Sequence, residues 1–278
     1  VPSDVGNVIS RGAAQGPGAI RSAGYGRPGP SEFVYDFGDV DFAGATGSAQ
    51  HIERILSSVR AIVDADAVPL LIGGDHSVSF APIATIQQQT AICLIWLDAH
   101  TDFSPWDGRD FHNHKQVLRR IETLPGVTRI VQFGYRGVTV GDERQLGAKS
   151  KVVTSAEMQR LTPTELLDLI PDDLPCYISI DIDVIDPFCA PGTSAPVPGG
   201  ILPDTVAELL SLLARNRTIA GVDIVEVNPV EDRNDDTACI AVGLIEAIAQ
   251  NWEYQIKRRS HRPNPEMRQR QIEESRVT

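Results

Sequence analysis

Five acids and two histidines follow apolar runs in three short stretches: Gly73-Gly74-Asp75-His76-Ser77, Asp98-Ala99-His100-Thr101-Asp102 and Asp181-Ile182-Asp183. Carboxylates and imidazoles grouped in this way suit the binding of divalent cations. A bare cluster of carboxylates at the end of core segments would repel itself, so a positive charge is required. Two ions fit the number of ligands best. Mostly oxygen donors with two imidazoles favour Mn2+, with Ni2+, Co2+ or Zn2+ as substitutes. A single Asp at a strand end is more often a turn residue or a helix cap. His76 alone reads equally as a hydrogen-bonded core histidine. The joint pattern is what lacks an economical structural explanation.

These residues need elements to carry them. Leu94-Ile95-Trp96-Leu97 reads as a buried strand, and Cys176-Tyr177-Ile178-Ser179-Ile180 as a second. Side chains two apart share a strand face, so Asp98, His100 and Asp102 are expected on one side, and Asp181 with Asp183 likewise. Val68 to Ile72 is a third strand, followed by two glycines that permit a tight turn into Asp75-His76. Further strands are predicted over 128–133, 150–153 and 219–225. Helices are predicted near 49–65, 77–89, 115–124, 163–170, 203–215 and 236–254. This alternation predicts an α/β fold, a single three-layer α/β/α domain with a mostly parallel central sheet. In such sheets ligands collect at the carboxyl ends of the strands, where every candidate residue falls. The domain is assigned to 1–256. Residues 11–48, rich in Gly, Pro and Ser, read as a surface-wrapping segment with one short helix after Gly16-Pro17. The basic tail, 257–278, reads as solvated in preference to a subunit-docking arm.

A chain of 278 residues with 42% hydrophobic content can bury one sizeable core. Its formal charge of −12 disfavours nucleic acid and anionic membranes as partners. No stretch approaches the ~20 apolar residues that span a bilayer. The four cysteines, Cys93, Cys176, Cys189 and Cys239, are far apart and read as reduced residues of a cytoplasmic protein. Cys189 alone is expected near the site. No signal peptide is visible, and a start at Val1 leaves open whether residues precede it.

Gly73-Gly74-Asp75-His76-Ser77, Leu97-Asp98-Ala99-His100-Thr101-Asp102 and Ser179-Ile180-Asp181-Ile182-Asp183-Val184-Ile185-Asp186-Pro187, followed by Ala190-Pro191-Gly192-Thr193, resemble the signatures of the ureohydrolases, the arginase–agmatinase superfamily. The likeness runs from the first residues to Glu226-Val227-Asn228-Pro229. It implies an arginase-like fold and two Mn2+ per chain. His76 and Asp102 would bind one ion, His100 and Asp183 the other, and Asp98 and Asp181 both. It also implies a bridging hydroxide that attacks a guanidinium carbon, releasing urea and an amine. Glu226 would anchor the guanidinium through paired N–H bonds. His114 would relay a proton, with His112 as the alternative. Lys115 stands where the family usually has Gly; it is either a surface lysine or a contact for an acidic substrate tail. A homotrimer or homohexamer is implied.

Arg136-Gly137-Val138-Thr139 lacks, at Thr139, an acid that arginases carry, which argues against arginine as substrate. Ser104 and Ser194-Ala195 also depart from usual patterns, and Trp106, Asp107 and Arg109 read as tail contacts or loop surface. The leading expectation is an agmatinase- or guanidinobutyrase-like hydrolase of a small guanidino compound. A formimino or modified guanidino substrate is the alternative. A catalytically silent subunit is disfavoured, because no ligand is lost.

Overall fold

In a computed structural model, residues 1–7, 10–25, 34–105, 112–136 and 146–260 are described, with side chains as far as Trp252. Ile92–Leu97 (β2) shows why the sheet lies in the middle. Its six side chains are all fully buried, yet they divide between two cores. Cys93, Ile95 and Leu97 pack on one face, and Ile92, Leu94 and Trp96 on the other. A strand covered on both faces gains from an unbroken apolar run, and that is what the sequence supplies.

The other strands are β1 (Leu70–Ile72), β3 (Val127–Tyr135), β4 (Ser150–Thr154), β5 (Cys176–Asp181) and β6 (Ile219–Val225). They form one parallel sheet in the order β1-β6-β5-β2-β3-β4. The chain lays β3 and β4 outward from β2, then returns to place β5 and β6 on its other side. The direction of growth therefore reverses between β2 and β5, where a crevice opens at the carboxyl ends. All six expected strands are present.

Helices α1 (Gly16–Gly24), α6 (Pro163–Asp168), α7 (Pro203–Asn216) and α8 (Asp236–Ser260) cover one face. On α7, Val206, Leu209, Leu210 and Leu213 follow helical spacing and are fully buried. Burying each is worth roughly 1.5–3 kcal/mol. The opposite face carries α2 (Gly47–Asp64), α3 (Phe80–Ile86) and α4 (Val117–Glu122). A short α5 (Ser155–Met158), closed by a Thr154–Glu157 capping box, was not expected from periodicity because it is a single turn. Helix α8 runs to Ser260, four residues into the segment read as tail.

Residues 34–46 wrap without regular structure, tied down where Arg21 pairs with Asp36 and Asp39. Among the described residues no helix is long and apolar enough to cross a membrane. Cys93 and Cys176 are neighbours in register, buried and free, as expected.

Candidate active site

Four adjacent strands supply one floor. Leu97 pairs with Ile180, so Asp98 and Asp181 lie side by side where β2 and β5 give out. Beside them β6 ends one residue before Glu226, and β1 leads through Gly73 and Gly74 to His76. Neither glycine has a positive φ, so the expected reason for them is replaced by another. A Cβ on Gly74 would come within 1.9 Å of the Ser3 carbonyl oxygen, and one on Gly73 within 2.6 Å of Val225. Close packing, against the Ser3 backbone at Gly74 and against valine side chains at Gly73, and not turn geometry, demands glycine there.

The two-residue spacing also has a different physical origin from the one predicted. The strand does not continue past Leu97. Instead Asp98 Oδ1 accepts the His100 N–H at 2.6 Å, and Asp181 Oδ1 accepts the Asp183 N–H at 2.9 Å. Asp75 Oδ1 does the same for Ser77 at 2.9 Å. Three strand ends thus close the same Asx turn, in which the first acid fixes the backbone of the second polar residue. Asp102 and Glu226 then adopt φ of 46° and 63°, left-handed conformations that cost a non-glycine residue energy.

The imidazole of His76 is completely buried and lies flat on Trp96, with ring centroids 3.9 Å apart. Its Nε2 donates to Ser179 Oγ at 2.9 Å, and Ser179 in turn donates to Asp223 Oδ1 at 2.7 Å. Tyr177 holds the other oxygen of Asp223 at 2.7 Å. In the neutral imidazole this network leaves the lone pair on His76 Nδ1, which has no hydrogen-bond partner. Around that atom stand Asp181 Oδ2 at 3.2 Å and Asp98 Oδ2 and Asp102 Oδ2, each at 3.4 Å. An orphaned buried nitrogen facing three carboxylates is a donor set for a divalent cation. On the other side, His100 Nδ1 is 2.8 Å from Asp183 Oδ2 and 3.5 Å from Asp98 Oδ1. Two potential ion sites result: His76, Asp98 and Asp102, and Asp98, His100 and Asp183. Asp98 belongs to both, steadied by the Trp96 indole N–H at 2.9 Å. Asp181 reaches His76 but falls outside both sets.

The local field is strongly negative. Burial and the neighbouring Asp183 and Asp98 push Asp181 well above the usual carboxylate range, and burial and Asp98 also raise Asp102. Burial opposes a proton on His100, but Asp183 and Asp98 outweigh it and push the imidazole up to about 12. Positive charge is favoured wherever these carboxylates converge.

Above the floor is a cavity of about 310 Å³. His114, Lys115, Ser104, Tyr135 and Glu226 line it with the acids. His114 Nδ1 donates to the Gly6 carbonyl at 3.0 Å, so the neutral ring keeps its lone pair on Nε2. Glu226 Oε1 accepts the His76 backbone N–H at 2.8 Å, and burial and Asp75 raise its carboxyl well above the ordinary range. His112 lies elsewhere, buried against the Phe80 ring at 5.1 Å. Cys189 packs on the hydrophobic core and, contrary to expectation, does not line the cavity. Trp106, Asp107, Arg109 and Thr139 fall outside the described residues.

Sequence reasoning missed Asp223, Ser179 and Tyr177. The available signal was an acid inside the apolar run Ile219 to Val225, which burial penalises unless it is fully hydrogen-bonded. Arg136 was also missed as a structural clamp. Its guanidinium donates to the carbonyls of Gly134, Asp183, Val184, Ile185 and Val197.

Residues 1–250 match the model of the arginase family. The chain belongs to the arginase family. Family members are hydrolases of amidine C–N bonds that use a binuclear metal centre, and this chain is a hydrolase of that class. It is 33% identical to the proclavaminate amidinohydrolase of Streptomyces clavuligerus over 87% of this chain and 83% of that one. The formimidoylglutamase of Bacillus subtilis is 30% identical over 88% and 83%. In three dimensions the proclavaminate amidinohydrolase structure superposes with a TM-score of 0.80 at 29% identity, covering 90% of this chain and 89% of that chain. The arginase-like α/β fold expected from the sequence is therefore present.

Proposed function

We propose that this arginase-family chain hydrolyses a small guanidino compound to urea and an amine, in the manner of agmatinases and guanidinobutyrases. The observation that carries the reading is the pair of ligand sets sharing Asp98 at the base of a cavity that also contains Glu226 and His114. Asp98, Asp102, Asp181, Asp183 and Glu226 are five carboxylates in one place, and two divalent ions with one guanidinium would balance their charge. His76, Asp98, Asp102, His100, Asp181 and Asp183 would hold the ions, and mixed oxygen and imidazole donors suit Mn2+. Such ions, when bound, supply hydroxide near neutral pH.

The remaining work falls to the protein. Glu226 accepts paired N–H bonds from the planar cation and so fixes its carbon over the floor. Once an oxygen has added to that carbon, His114 Nε2 would take the proton of the new hydroxyl and pass it to the substituted nitrogen, so that the C–N bond breaks, the nitrogen leaves as the amine and the carbon leaves as urea. Similarity to formimidoylglutamase supports a second reading, a formimino substrate that releases formamide instead.

A screen of Mn2+- or Ni2+-loaded protein against arginine, agmatine, guanidinobutyrate, guanidinopropionate and formimino compounds, scored for urea and formamide, tests the reaction. Release of neither product from any of them overturns it. Elemental analysis should find about two ions per chain. Asp98→Asn should lose more metal than Asp102→Asn, because only Asp98 belongs to both sets.

A further inference from the structure

The cavity is asymmetric in charge. Its acids, Asp102, Asp181, Asp183 and Glu226, lie at strand ends or in the turns that follow them, and the proposed reaction uses all four. Asn7, Tyr135 and Thr193 are buried beside these acids, whereas the more exposed part of the described lining includes Ser104, Lys115, Ser194 and Ala195, which offer hydroxyls and an ammonium but no carboxylate. Lys115 is the sole lysine or arginine among the described lining residues.

Lys115 is also held in place with its charge unspent. Its backbone N–H donates to Asn113 Oδ1 at 2.9 Å, and its carbonyl accepts from the Ser104 N–H at 2.8 Å. The 3-10 turn His114–Gln116 therefore presents an imidazole and an ammonium from consecutive residues, tied to the loop that follows Asp102. Among the described residues the ammonium has no hydrogen-bond or ion-pair partner. The neighbouring cations do: Arg136 is committed to five backbone carbonyls, and Arg119 to the Phe103 carbonyl and ring.

We propose that the substrate is an amidine with a carboxylate on its tail, and that Lys115 is the residue selecting that tail. This rests on the amidine-hydrolase reading above and extends it to a substrate class. The cationic end of such a molecule enters the acidic floor, and its anionic end meets the one cation of the rim with hydroxyls beside it. A tail ending in an ammonium would instead approach Lys115 with no acid among the described rim residues to receive it. Opposite charges at the two ends of one cavity also fix the direction of binding.

The test compares three compounds sharing a guanidinium: guanidinobutyrate, neutral butylguanidine and cationic agmatine. For the metal-loaded native enzyme, kcat/KM should rank them in that order. Lys115→Met keeps the length of the side chain and removes its charge. It should lower the guanidinobutyrate-to-butylguanidine ratio about fivefold, mainly through KM. Lys115→Arg should retain most of that ratio, and Lys115→Glu should invert the preference toward agmatine. Calorimetric titration of the same three compounds reads the tail preference without turnover. Adding N-formimidoyl glutamate, scored by formamide, distinguishes the two sources of an acid-tailed amidine.

Ratios that do not respond to Lys115→Met and Lys115→Glu overturn the proposal, as does a native preference for agmatine. If butylguanidine is hydrolysed while the tail has no effect, only this inference fails. Absence of both hydrolysis and binding for every compound overturns the amidine reading as well.

Discussion

At the scale of single residues, the site is a problem of placing protons and charge. His112 and His114 are two residues apart but have opposite surroundings. His114 lines the cavity, whereas burial and the nearby Arg120 push His112 down to about 3. Loss of His114 is therefore expected to act on chemistry, and His114→Ala should lower kcat by about 10²–10⁴ with metal content intact. Loss of His112 should act on stability, and His112→Ala should leave kcat nearly as it was. A pH series isolates the second effect. The folded pKa of His112 lies below its unfolded value of 6.5, so its contribution is present above pH 6.5. It is lost as pH falls toward 3, because only the unfolded chain takes up the proton. That loss amounts to about 2 kcal/mol by pH 5. His112→Leu should show a flatter fall in denaturation midpoint between pH 7 and 5 than the native protein. Parallel curves would show that His112 is not held neutral.

At the scale of elements, the centre depends on how strands are joined. The chain Tyr177–Asp223–Ser179–His76 crosses β5, β6 and the turn after β1, and it orients an imidazole from below. Asp223→Asn keeps the shape but weakens the acceptor that holds Ser179, and the Nδ1 lone pair of His76 is then no longer enforced. Metal affinity is expected to fall about 10–100-fold, with little change in the affinity of the Glu226 side of the cavity for a guanidinium compound. Competition with a chelator, followed by elemental analysis, measures the first quantity. Unaltered affinity would show that the strand-borne network supports folding alone. The Asx turns belong to this scale too. They explain why three strand ends of different sequence converge on one geometry without sharing a strand face.

At the scale of the whole molecule, order of strands matters more than their identity. Asp98 and Asp181 are 83 positions apart in sequence, yet β2 and β5 pair directly because β3 and β4 are laid on the far side. Phe188, Leu202 and Val230 remain exposed on the single chain, at 86%, 61% and 63%. Scattered apolar exposure is ordinary in itself, but the family resemblance adds an expectation of assembly. Light scattering at micromolar concentration should give the mass of a trimer or hexamer. A stable single-chain mass would overturn that expectation.

Residue types and short-range order were legible in the sequence. Apolar runs in β2 and β5 announce buried strands because only a strand covered on both faces tolerates so few polar residues, and the acids grouped at their ends point to a cation site because bare carboxylates repel one another. His76, Asp98, His100, Asp102, Asp181 and Asp183 could all be named as candidate ligands on those grounds together with the family signatures. Other features depended on contacts between distant segments. The need for glycine at Gly74 comes from Ser3, and the support for His76 comes from Ser179 and Asp223. The separation of His114 from His112 comes from Gly6 on one side and Phe80 on the other. Spacing along a chain reports which side chains can share a local turn, and it carries no record of which remote backbone will approach. Those approaches were decided when the sheet assembled, because packing and hydrogen bonding act on distance in space.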